Sequence, residues 1–125
     1  MKKSIEQIAS EDGRYSRGAL HFVFEGLGKT IEKIRQDTED PEERHISGDK
    51  LAIGLGDIAK ERWGRLAKVV LNDWGLCTTR DFGEIVYLMI ANEWMRAQED
   101  DEIEDFDDVF DFETRFEKGF QFDLN

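Results

Sequence analysis

Leu20, Val23, Phe24, Leu27, Ile31 and Ile34 follow one another at i, i+3, i+4 and i+7 spacing. That period predicts an amphipathic helix, capped by Ser16 and running to about residue 36. Gly26 and Gly28 weaken it by about 1 kcal/mol each relative to Ala, and leave room for another helix to approach closely. Before it, residues 4–10 form a short helix candidate with Ile5 and Ile8 on one side, broken at Asp12-Gly13. After it, residues 37–44 (DTEDPEER) read as a polar loop.

Ser47 then offers an N-cap for a second long helix, through Arg62 or Trp63. Leu51, Ile53, Leu55, Ile58, Ala59 and Trp63 supply its apolar surface, and Gly64 ends it. Residues 66–74 predict a third helix, with Leu66, Val69, Val70 and Trp74 at helical spacing and Gly75 as a left-handed C′ residue. A fourth runs from Arg80 to about Met95, starting at Thr78 or Thr79, with Asp81 and Glu84 in the first turn. Its apolar face is Phe82, Ile85, Val86, Met89, Ile90 and Trp94. Beyond residue 110 two patterns compete. Phe110, Phe112, Thr114, Phe116 and then Phe120, Phe122, Leu124 alternate around Glu117-Lys118-Gly119, as in a hairpin, while Phe112, Phe116 and Phe120 also fit a helix.

These elements predict a mostly α, four- to five-helix bundle in one domain spanning residues 1–125. Three helices with short links over residues 47–95 also outline a helix-turn-helix core, to which the C-terminal part would add a wing. A chain of 125 residues with nine Phe and three Trp has enough apolar surface for its own core. The lone Cys77 excludes an intramolecular disulfide and fits an intracellular, cytoplasmic protein. No signal-peptide h-region or membrane-length apolar run is expected.

Charge changes the picture most. The chain carries 29 acids and 17 bases, a net charge of −12. Residues 1–97 account for −2 of that, and the run QEDDEIEDFDDVFDFE at 98–113 for −10. Ile103, Phe106, Val109, Phe110 and Phe112 are threaded through the run. A solvated linker has no use for five large apolar groups, and a core element has none for ten carboxylates. The segment is therefore expected to dock an apolar edge on the domain and keep a negative rim outward.

The linked motifs Asp12-Gly13-Arg14-Tyr15, His45-Ile46-Ser47-Gly48, Trp74-Gly75, Thr79-x-Asp81-Phe82-Gly83-Glu84-Ile85-Val86-Tyr87, Asp105-Phe106 and Asp111-Phe112 extend over about residues 5–116. Together they resemble a family of short uncharacterised bacterial proteins frequent in Planctomycetes and related phyla. The resemblance implies a mostly helical intracellular bacterial protein, and it implies no reaction. The chain departs from the family pattern at Glu93-Trp94, where a small helix end is usual, and in a longer tail after Phe116.

Candidate chemistry is sparse. Gly26-Leu27-Gly28-Lys29-Thr30 mimics the end of a phosphate loop, but Val23 stands where the first Gly is needed and the segment reads as mid-helix. Ser47-Gly48-Asp49-Lys50 and Asp81-Phe82-Gly83 match short enzyme motifs without their partner motifs. His21 and Glu25 at i, i+4 read as a surface pair, and His45 as a loop donor. Cys77 reads as a small apolar filler between two helices. The acidic run lacks the spacing and the Gly of a calcium loop. Trp63, Trp74 and Trp94 fall at helix ends and read as closing the core.

No catalytic centre, cofactor or metal site is expected. The first functional reading is a non-enzymatic regulatory or protein-interaction module, binding a partner's basic surface through Asp100, Asp101, Glu102, Glu104, Phe106, Asp107 and Asp108. The alternative is a nucleic-acid-binding helix-turn-helix protein using Lys60, Arg62, Arg65, Lys68 and Arg80.

Overall fold

The computed structural model describes residues 2–37 and 46–118. Among these residues five α-helices form the bundle: α1 (Ile5–Asp12), α2 (Arg17–Asp37), α3 (Gly48–Trp63), α4 (Ala67–Asp73) and α5 (Thr79–Ala91). Three short helical turns complete it, two of 3-10 type at Gly64–Leu66 and Ile103–Phe106, and one π-type turn at Glu113–Glu117. Among the described residues there is no strand.

Local chemistry explains the boundaries. The Ser4 hydroxyl accepts the Gln7 N–H at 3.1 Å to open α1, and Gly13 closes it at φ +80°. Gly64 and Gly75, at φ +54° and +96°, break the chain on either side of α4. Thr78 and Asp81 form a reciprocal capping box at the start of α5. Ser47 sits at the N-cap of α3 in extended backbone, but its hydroxyl donates to Asp49 instead of accepting from the helix.

Helix α2 is the spine. Gly26 lets Leu55 of α3 come in close, since a Cβ there would stand 2.5 Å from the Leu55 Cδ2. Helix α5 packs against both α2 and α3, and α1 packs on α2. The buried core takes Ala19, Leu20, Phe22 and Val23 from α2, and Ala52, Leu55 and Ala59 from α3. Phe82, Ile85 and Met89 enter it from α5. Trp63 and Trp74 meet edge to face at 5.4 Å near one end, and the Trp94 indole donates to the Lys3 carbonyl at 2.8 Å.

The acidic segment docks as its apolar residues predict. Phe106, Phe112 and Phe116 are buried, and Val109 and Phe110 pack against the core. Phe82, Phe110, Phe112 and Phe116 form a chain of rings at centroid separations of 5.4–6.4 Å. Burying each Phe contributes roughly 1.5–3 kcal/mol, which lets carboxylates and core share one segment.

Several expectations change. Ala67 and Leu71 of α4 face the core, while Val69 and the preceding Leu66 are 60% and 64% exposed. The short helix is oriented by its neighbours rather than by its own apolar stripe. Helix α5 stops at Ala91, four residues early, because Glu93 adopts φ +67°. Residues 112–118 are helical, so the hairpin is not formed there, while its second arm (Phe120, Phe122, Leu124) lies outside the described residues. Cys77 is exposed instead of filling the core. The loop at 38–44 and His45 also lie outside the described residues.

Candidate functional site: an acid-rimmed apolar groove

Between α2, α3, α5 and the acidic segment lies an open groove of about 720 Å³. Helix α2 contributes Phe24, Leu27, Gly28 and Ile31, spaced i, i+3, i+4, i+7 on one face. Helix α5 contributes Val86, Tyr87 and Ile90. The lining residues Leu27, Val86 and Phe106 are buried and form the floor, and Met95 adds a flexible apolar group.

The rim is acidic. Glu25 and Glu32 come from α2, and Asp101, Glu102 and Asp105 from the acidic segment, against Lys29 and Arg96. Five carboxylates to two cations give the mouth a negative potential. The Tyr87 phenol lies within reach of these charges. Its pKa is raised, first by partial burial and then by the charges of Asp101, Asp105, Glu104 and Glu102.

The segment is tied down behind the rim. The buried Thr79 hydroxyl donates to the Phe106 carbonyl at 2.6 Å and accepts the Val109 N–H at 3.1 Å. Glu102 and Asp105 cap the 3-10 turn reciprocally, and Asp101 accepts the Gln98 N–H at 2.7 Å. Arg80 donates to both Asp107 oxygens at 3.0 and 3.2 Å. Asp111 accepts from the Thr114 N–H and hydroxyl, which holds its carboxyl below the usual range.

The predicted acidic residues therefore divide. Asp101 and Glu102 stand on the rim, and Asp100 and Glu104 lie alongside, exposed. Phe106 is corrected from a partner-facing anchor to a core residue, 2% exposed, because Gly48 and Gly83 leave space for its ring. Asp107 is engaged by Arg80, and Asp108 turns outward at φ +50°.

The five bases do not form one patch of available charge. Arg62 and Arg65 are exposed near the α3–α4 junction, with Lys60 half-buried one turn earlier. Lys68 pairs with Glu117 at 3.4 Å. Arg80 pairs with Asp107 and Glu84. The first two turns of α5, the part a helix-turn-helix would present to DNA, thus carry Asp81, Glu84 and an occupied cation. His21 pairs with Glu6 at 2.9 Å, not with Glu25.

Sequence reasoning missed the groove. Its signal was the width of the α2 stripe, since Leu20, Val23 and Leu27 are buried by the bundle while Phe24 and Ile31 stay half-exposed beside them. Among the described residues no helix is long and apolar enough to cross a membrane. Comparison with protein-family models, curated proteins and solved structures gives no match to this chain.

Proposed function

We propose that the protein is a non-enzymatic interaction module whose acidic segment binds the basic surface of a partner protein. The observation that carries this reading is the way the segment is mounted. Its phenylalanines are anchored in the core, Asp101 and Glu102 are fixed by hydrogen bonds along the segment, and Asp100 and Glu104 stand exposed beside them. A pre-ordered array loses little side-chain entropy on binding, and its field speeds encounter with a cationic surface. The linked motifs that resemble short bacterial proteins, together with the single cysteine, support a cytoplasmic setting.

The test is calorimetric titration with decalysine at low and moderate salt. The variant carries Asp100→Asn, Asp101→Asn, Glu102→Gln and Glu104→Gln, which remove charge and keep hydrogen-bond acceptors. Wild-type protein should bind with an affinity that falls as salt rises, and the variant should lose most of it while melting near the wild-type temperature. Equal binding by both proteins would sink the reading.

A further inference from the structure

We propose that the groove between α2 and α5 is the seat of one basic amphipathic α-helix supplied by the partner. This rests on the reading of the acidic segment as a site for a basic partner, and it names the shape that partner presents.

The walls favour a helix. Phe24, Leu27, Gly28 and Ile31 present one helical face, and Val86 and Ile90 present another across the gap. Two helix faces with buried residues at the floor and half-exposed Phe24, Ile31 and Ile90 above them offer ridges and grooves against which one more helix can pack. No strand edge exists among the described residues to receive an extended peptide. At Gly28 an added Cβ would meet nothing within 4 Å. The wall is therefore bare backbone at that point, where an incoming helix can come close.

The rim sets the charge of the visitor. Glu25 and Glu32 border the groove from α2, and Asp101, Glu102 and Asp105 from the acidic segment, outnumbering Lys29 and Arg96. A helix with an apolar stripe flanked by lysine or arginine would bury the stripe over Leu27, Val86 and Phe106 and set its cations against these carboxylates.

The experiment compares two synthetic leucine–lysine peptides of equal composition by calorimetry. One carries leucines at i, i+3, i+4 and i+7, and the other scatters them. Gly28→Leu plugs the groove from a position with free space, and Ile31→Lys places a cation in it from a half-exposed position. The striped peptide should bind at least about tenfold tighter than the scattered one. Either substitution should erase that difference while decalysine binding persists in Gly28→Leu. Having both guards against one variant misfolding. Equal affinity of the two peptides, or a Gly28→Leu protein that still prefers the striped one, overturns the groove and leaves the acidic array standing. Loss of decalysine binding in the neutralised-segment variant alone reports on the array, so the two ideas fail separately. A dimer of the free protein that Gly28→Leu splits would make a second copy the occupant and overturn the proposal.

Discussion

The ring of Phe106 lies against the bare backbone of Gly83, so close that a Cβ on Gly83 would stand 2.8 Å from the Phe106 Cβ and Cγ. Gly48 of α3 faces the same ring, where a Cβ would come within 2.9 Å. The acidic segment is thus keyed into the helices by one aromatic ring between two glycines.

Gly83→Ala should therefore destabilise the fold although Ala is the better helix former. Overpacking costs roughly 1–3 kcal/mol, against about 1 kcal/mol gained in propensity. The atoms in the way are the root of the Phe106 side chain and cannot swing aside. Denaturant melts of Gly83→Ala, Phe106→Ala (which removes Cγ and the ring) and the double variant would show the coupling. Simple additivity would mean the contact is not the cause.

Asp81 joins two distant parts of the chain. One carboxylate oxygen accepts the Cys77 and Thr78 N–H groups at 2.8 and 3.0 Å, and the other accepts the Tyr15 hydroxyl at 2.6 Å. Asp81→Ala removes the carboxylate half of the α5 capping box and strands the Tyr15 hydroxyl, a loss of about 2–4 kcal/mol from the two effects. Tyr15→Phe alone should cost less, because the cap survives. Chemical denaturation of both variants checks the order.

Gly28→Ala is expected to stabilise the free protein by up to about 1 kcal/mol, since the site is helical and a Cβ meets nothing. A loss of thermal stability would mean that the groove wall is not open.

Both tyrosines should ionise above the ordinary value of about 10. Tyr15 is raised by burial and by its hydrogen bond to Asp81, and Tyr87 by burial and the acidic segment. Because the folded state favours the neutral phenol, stability is intact below about pH 10 and falls as pH rises past it. Phenolate absorbance in a Tyr15→Phe background isolates Tyr87. Neutralising Asp101, Glu102, Glu104 and Asp105 should lower its midpoint. An unchanged midpoint would show that the rim's field does not reach the groove.

Helix content was legible in the sequence wherever apolar period and capping chemistry agreed. Ser4 and Gly13 bound α1, Thr78 and Asp81 open α5, and glycines bracket α4. These are local matters of hydrogen-bond supply and backbone freedom, so sequence alone determined them. The mixture of carboxylates and phenylalanines in residues 98–113 likewise implied a docked edge with charge outward. The buried faces of α1, α2 and α5 followed their apolar spacing, but the face that α4 buries was a tertiary decision. The seven-residue α4 has too few contacts of its own to choose its orientation, and its neighbours turned Ala67 and Leu71 inward and left Leu66 and Val69 outside. Phe106 went from candidate anchor to core because two glycines far apart in sequence meet across the α3–α5 gap. The groove exists only because α2, α5 and the acidic segment converge on it, bringing Gly28, Tyr87 and Asp101 together across more than seventy residues of chain. Local spacing carries no information about that distance, and packing supplies it.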